Sequence, residues 1–285
     1  MDSKIKTQNS IIIDQAWNNL NRRLENEGLL QDNDAKQKLT QNLYYRKFYV
    51  AAVFTACIIA GWYFTQKTGL PDYKMLELHN EVNAPTLATI LEDGSAVYLS
   101  GLTSLKYPEH FDSDKREVNL QGDAFFDIKK QSGRPFIVET ALAKVEVKGT
   151  SFSIKSDNKS SFSLSVLNGN VQVIRKSDQQ AIPVNAGETV LFDSGQIRII
   201  KNTTQFDGYF KRIHFKDEYL KNVANIINMH SGSIILKVDS EVEMRSITFP
   251  FSTDSDIIDI AKVICQAMEL QYHQQENTVF ISKQK

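Results

Sequence analysis

The sequence predicts a single-pass membrane protein: a short α-helical cytoplasmic head, an all-β exterior sandwich of jelly-roll type, and a small α+β domain at the C-terminus. Three observations carry that prediction. Nineteen residues between Lys47 and Lys67, FYVAAVFTACIIAGWYFTQ, contain no charge. From about residue 84 to 200, apolar and polar residues alternate with the period of two that marks half-buried strands. After about residue 206 the period switches back and forth between two and 3.6, as it does in β-α-β units.

The head covers residues 1–47. Ile13, Trp17, Leu20 and Leu24 recur at spacings of four, three and four, which places them on one stripe of a helix. Ser10 stands where an N-cap would, and Gly28 where a helix ends. A second helix is expected from Asp32 or Asp34 through Leu39 and Leu43. Forty-odd residues bury too little to sustain their own core. The stripe therefore pairs with that second helix, lies on the membrane, or docks in a partner's groove. The membrane alternative is weakened because Arg22 and Arg23 are offset by Glu25 and Glu27.

The span is expected over residues 48–66, from Phe48 through Gly61 and Trp62. At about 1.5 Å per helical residue it crosses a hydrocarbon layer roughly 30 Å thick. A secretory signal would lie close to the N-terminus and end on small residues. This run instead follows a long polar head and ends on Trp62, Tyr63 and Phe64. Tyr44, Tyr45 and Tyr49 at one end, with Trp62 and Tyr63 at the other, resemble interfacial aromatic belts. Lys36, Lys38, Arg46 and Lys47 precede the run, against Lys67 and Lys74 after it. That asymmetry puts the N-terminus in the cytoplasm and the rest outside.

A linker, residues 67–83, leads to the β domain at 84–200. There Phe162, Leu164 and Val166 alternate with serines, and Val145 and Val147 with charged residues. Asp93-Gly94, Asn168-Gly169, Ala186-Gly187 and Ser194-Gly195 supply the turns. Ten to twelve short strands are expected. In residues 206–285, Ile213–Phe215 reads as a strand, and Asp217 opens a helix carrying Leu220, Val223 and Ile227. Ser233–Val238 is the next strand. A second cycle runs from Ser246–Phe249 through a helix near Asp254, with Ile257, Ala261, Ile264 and Met268, to strands at Leu270–His273 and Thr278–Ile281.

Composition narrows the function classes. A formal net charge of −1 gives no bulk attraction to nucleic acid. Cys57 lies in the apolar run and Cys265 in the exterior part, so no disulfide is expected within the chain, which favours a bacterial periplasm over a eukaryotic secretory route. The five histidines show no ligand spacing, no phosphate loop or GxSxG is present, and no cofactor or metal is expected. Asp123 and Asp127 share one face of a strand but lack the environment of an acid/base pair. One stretch has chemistry of its own, Gly149-Thr150. A threonine hydroxyl in a strained turn can attack the preceding glycine carbonyl; the structural alternative is a glycine bulge between strands.

The run LEDGSAVYLSGLTSLKYPEHF, followed by REVNLQGDAFFDI, RPFIV, VEVKGTSFSI, LNGNVQV and NAGETVLF, resembles the FecR family of transmembrane anti-sigma regulators. Asp93, Gly94, Ser95, Arg116, Gly122, Phe126, Phe136, Gly149, Thr150 and Gly169 are among the matching positions. Asp123 replaces a frequent glutamate, and Lys148 a usual apolar residue. The C-terminal part resembles the short N-terminal domains of secretins and TonB-dependent transporters. The resemblance implies a relay rather than an enzyme. A TonB-dependent outer-membrane transducer would signal to the periplasmic part, and the cytoplasmic head would hold an ECF-type sigma factor through Trp17, Leu20 and Leu24. It also implies that Gly149-Thr150 could be cut by the chain itself, as in some relatives. Independently, a single helix without charge offers no bistable packing to carry a shape change, which favours release by envelope proteases or a pull relayed from outside. The competing class is an envelope-anchored binding or assembly module without a role in transcription, which leaves the head stripe unused.

Overall fold

The computed structural model describes residues 2–29, 52–63, 74–157, 161–193, 195–201 and 206–284. The chain divides into two compact units, Met1–Asp72 and Tyr73–Lys285. In the first, α1 spans Asp2–Asn26. It begins eight residues before the expected cap at Ser10, because lysine and glutamine near the N-terminus continue a helix readily. It ends as expected at Gly28, whose φ of +67° admits a left-handed turn. Gly28 N–H donates to Glu25 O at 3.1 Å and Leu29 N–H to Leu24 O at 3.0 Å, closing the last carbonyls as a Schellman motif does. The expected second head helix and Phe48 lie outside the described residues. A second helix, α2, occupies residues 52–63, twelve of the nineteen in the apolar run, with Gly61 and Trp62 at its end. Among the described residues no helix is long and apolar enough to cross a membrane.

The second unit begins with thirteen strands: β1 Met75–His79, β2 Thr86–Ile90, β3 Ala96–Leu99, β4 Ser104–Pro108, β5 Arg116–Asp127, β6 Phe136–Glu139, β7 Ala143–Val147, β8 Ser151–Ser156, β9 Phe162–Asn168, β10 Asn170–Arg175, β11 Ala181–Asn185, β12 Glu188–Asp193 and β13 Gln196–Lys201. They form two layers that share β5. One layer runs β1-β4-β5-β6-β7-β10-β11; the other runs β3-β5-β8-β9-β12-β13, with β2 beside β3. The first half of β5 pairs with β4 and β6, the second with β3 and β8, and Gly122 is the corner. Its φ is +114°, and an added Cβ would lie 2.6 Å from Thr103 Oγ1. Thr103 Oγ1 accepts from Asp123 N–H and donates to Asp123 O, both at 3.0 Å, clamping the bend. A strand that turns from one sheet into the other is how two packed sheets make a corner. The sandwich is thus present as expected. It departs from an antiparallel jelly roll, because β5 and β6 run parallel.

The C-terminal part adds β14 Arg212–Tyr219, α3 Leu220–His230, β15 Ile235–Val238, β16 Ser246–Ser252, α4 Ile257–Met268, β17 Leu270–Gln275 and β18 Thr278–Lys283. Both β-α-β cycles exist, but neither closes a sheet of its own. β14 and β16 pair antiparallel, and β14 runs parallel to β2, so they extend the second layer. β15, β18 and β17 form a separate three-stranded sheet. Asp217 does not open α3. It sits at φ +51° within β14, where the register with β16 shifts. Glu218 and Tyr219 are drawn into pairing with Ile247 and Ser246, and the helix starts only at Leu220, whose N–H donates to Arg245 O at 2.9 Å. α4 begins at Ile257, capped by Asp256, which accepts from Ile258 N–H at 2.7 Å.

Two apolar cores result. The first lies between the two layers and holds Val97, Leu99, Val118, Phe126, Phe136, Val145, Phe152, Ile154, Leu164 and Val190. The second lies on the outer face of β2, β3 and β5, where Ala88, Ala96, Tyr98 and Phe125 meet Phe206, Tyr209, Phe215, Leu220 and Ile227. β2 and β3 are consequently buried on both faces.

Candidate functional site

The connection between β7 and β8 crosses from one layer to the other, and Gly149-Thr150 is that crossing. Lys148 O accepts from Gln131 N–H at 2.8 Å, and Thr150 O from Ile128 N–H at 3.0 Å, so the segment is pinned on both sides of the scissile candidate. Gly149 is required by contact. A Cβ there would stand 2.5 Å from the Lys130 Cα, a backbone neighbour that cannot step aside. The Thr150 side chain is buried, and its Oγ1 donates to Asn170 O at 3.1 Å. A Cβ on Gly169 would come within 2.9 Å of that hydroxyl and 3.2 Å of Gly149 O, so the Asn168-Gly169 turn leaves room for both groups. The segment borders an open cleft of about 530 Å³ lined by Lys130, Glu146, Lys148, Asn170 and Gln172. Attack by Oγ1 on the Gly149 carbonyl carbon would require the hydroxyl to give up its proton, which in the ground state rests on a carbonyl oxygen rather than on a base.

The head presents a different kind of surface. On α1, Ile13 is 59%, Trp17 58% and Leu20 47% exposed, while Leu24 is half-buried. The spacing puts all four on one side of the helix, and an exposed tryptophan such as Trp17 is among the side chains that most often anchor partner binding.

Asp93, Ser95 and Arg116 form a polar lock within the second unit. Arg116 Nη1 donates to Asp93 Oδ2 at 2.6 Å, and both side chains are fully buried. Arg116 also donates to Arg134 O and Lys129 O at 3.0 Å each, and its guanidinium lies 5.4 Å from the Phe136 ring centroid. Ser95 donates to Asp93 through both N–H and Oγ, at 2.9 and 2.7 Å, and its Oγ accepts from Lys129 N–H. The Asp-Gly-Ser turn is therefore locked to the start of β5 and to Lys129, two residues past its end.

A second polar set, invisible in the sequence, joins the β strands to the C-terminal elements. Tyr98 Oη lies 2.9 Å from His230 Nε2, Thr89 Oγ1 donates to Glu218 at 2.7 Å, and Tyr209 Oη donates to Asp123. Burial, reinforced by Asp127, raises the Tyr98 pKa; burial and then Asp123 raise that of Tyr209. Burial lowers the His230 pKa, with Asp127 opposing, and favours the neutral ring. Asp123 and Asp127 do share a strand face. Each is engaged by a hydroxyl, Tyr209 on the former and Ser151 at 2.7 Å on the latter. Among the described residues no cluster of His, Cys, Asp and Glu could hold a metal ion.

Residues 85–172 match the family described as FecR protein. Two crystal structures of a candidate anti-sigma factor from Parabacteroides distasonis ATCC 8503, at 2.50 and 1.65 Å resolution, are similar. The first is 22% identical with a TM-score of 0.46, and the alignment covers 74% of this chain and 100% of that chain. The second is 23% identical with a TM-score of 0.45 over the same shares. No curated protein matches the chain.

Proposed function

We propose, taking the FecR domain at residues 85–172 as the premise, that this chain is a single-pass anti-sigma factor of the bacterial inner membrane. Its head would hold an ECF-type sigma factor in the cytoplasm, and residues beyond about 67 would receive a signal in the periplasm from a TonB-dependent outer-membrane transducer. The observation that carries the reading is the pairing of that domain with an apolar, solvent-facing stripe on α1 at Ile13, Trp17 and Leu20. The uncharged run at 48–66 supports the anchor, since such a run is the length a bilayer core requires. The Gly149-Thr150 crossing supports self-cleavage as a processing step: Gly149 carries a backbone no other residue accommodates, and Thr150 is held beside it.

Three measurements test the parts separately. Full-length chain should co-purify a cognate sigma factor, and Trp17→Ala should weaken that binding by about 2 kcal/mol or more, roughly thirtyfold, as for a central aromatic anchor. Undiminished binding would remove Trp17 from the interface. Accessibility labelling of tags at the two termini should find them in different compartments; the same compartment would sink the relay. An immunoblot should show two fragments from the wild type and one band from Thr150→Ala. Identical single bands from both would dispose of self-cleavage and leave the anti-sigma reading standing.

A further inference from the structure

The free sheet edges of the second unit differ in how they are protected. An edge strand exposes a row of unpaired backbone N–H and C=O groups that another strand can use, and native proteins usually blunt it. β11 carries Pro183 and β16 carries Pro250, residues that cannot donate to a ladder. β15 is plugged by a side chain from α3. Leu236 N–H donates to Asn228 Oδ1 at 2.7 Å, and Asn228 Nδ2 donates to Leu236 O at 2.8 Å. β17 is lined by Gln271, His273 and Gln275, and β1 by a Glu77–Lys106 pair at 3.4 Å.

β13 has no proline and no plugging side chain, and its charge is limited to one exposed Arg198–Asp193 pair and Lys201. It is six residues long, QIRIIK, without proline, and among the described residues it pairs only with β12. Ile197 packs against the first core, but Ile199 and Ile200 remain 48% and 49% exposed. Consecutive residues of a strand point to opposite faces. A helix or flat surface laid on one face would cover one of these isoleucines and leave the other wet. A strand added at the edge flanks both.

The register also says which backbone groups are on offer. Asp193 pairs with Gln196 across a two-residue turn, which makes that the closing hydrogen-bonded pair of the hairpin. Hydrogen-bonded positions then alternate, so Gln196, Arg198 and Ile200 bond to β12 while Ile197, Ile199 and Lys201 direct their N–H and C=O outward. Arg198 and Lys201 add positive charge along the edge. Arg198 reaches Asp193 only at 3.3 Å with both side chains more than half exposed, a pair worth little. A second copy of β13 would double that positive charge in one ladder, whereas an acidic strand would neutralise it.

We propose that β13 is a strand-addition site, taking an extended segment of another protein in which acidic residues oppose Arg198 and apolar ones oppose Ile197 and Ile199. The proposal rests on sheet geometry and stands whether or not the head binds a sigma factor. The probe is an acetylated, amidated heptapeptide of alternating valine and glutamate, titrated against full-length chain in detergent, with its lysine counterpart as control. The glutamate peptide should bind about fivefold tighter than the lysine one, the scale of the one cross-strand pair at Arg198 turned from attraction to repulsion. Binding should slow amide exchange at Ile197, Ile199 and Lys201. Ile199→Pro removes an outward N–H without touching the β12 ladder, so it should abolish binding while leaving thermal stability nearly unchanged. Equal binding of both peptides, binding retained in Ile199→Pro, or no binding by either peptide would overturn the proposal. So would self-association of the untreated chain that Ile199→Pro abolishes, which would give the edge to a second copy.

Discussion

β3 has two faces, and they belong to two different cores. Val97 and Leu99 enter the sandwich, where contacts are mostly aliphatic or ring on ring, as in the Phe126–Phe152 stack at 5.2 Å, with the buried Arg116–Asp93 pair beside Phe136 as the exception. Ala96 and Tyr98 enter the core shared with the C-terminal elements, where hydroxyls meet carboxylates and a histidine. The first core is held chiefly by burial, which has no direction and responds mainly to volume. The second is aimed by hydrogen bonds that single out one docking geometry, each contributing little net stability but costing more if left unmade. One strand thus shows how a sequence can build a robust body and a specified joint on opposite sides of the same backbone.

Single substitutions, one double-mutant cycle and a pH series probe that contrast. Phe126→Ala, which opens a void in the first core, should cost about 3–5 kcal/mol and lower the denaturation midpoint of the whole second unit. If residues 206–284 kept their midpoint, the two cores would be energetically separate. Arg116→Met leaves Asp93 buried without its cation and should cost about 3 kcal/mol or more; adding Asp93→Asn should recover much of it in a double-mutant cycle. Gly122→Ala forces a side chain onto Thr103 at φ +114°, costing roughly 1–3 kcal/mol, and should loosen β3–β5 pairing as read by amide exchange. Tyr98→Phe removes one hydrogen bond and should cost about 1 kcal/mol, appearing as faster proteolysis of the C-terminal elements while first-core amides stay protected.

The smallest effect is a pH dependence. Because burial depresses the folded pKa of His230 below its ordinary 6.5, the unfolded chain takes up the proton first as pH falls. The contribution of this histidine is complete above that value and is lost as pH drops through the depressed pKa. Stability should therefore fall between pH 7.5 and 5.5 in the wild type, and by less in His230→Gln. An identical slope in both would take His230 out of the joint's response.

Much of the sandwich was legible because one wet face leaves a mark. Val145 and Val147 alternate with Lys144 and Glu146, and β7 is where that pattern puts it. The pattern is silent about β3, since burial on both faces erases alternation. The Gly28 stop could be read because glycine at a left-handed position acts locally. The start of α3 could not, because Asp217 looks like a helix opener and is overruled by pairing with a strand some thirty residues away, seen in Thr248 Oγ1 accepting from its N–H at 3.0 Å. Asp93, Ser95 and Arg116 stood out as matching positions, yet their partnership spans 23 residues of chain and no spacing rule connects them.

What the chain determined by itself are properties set within a few residues: the uncharged run, the head stripe, the turns and the strand periods. Each depends on side-chain pattern or backbone permissiveness over one or two turns of structure. The joint between the sandwich and the C-terminal elements, the corner at Gly122, the pinned crossing at Gly149-Thr150 and the proline-free edge of β13 were decided only by tertiary structure. They arise where segments distant in sequence share a surface, and the free energy that selects among such arrangements comes from burying both partners together rather than from either one alone.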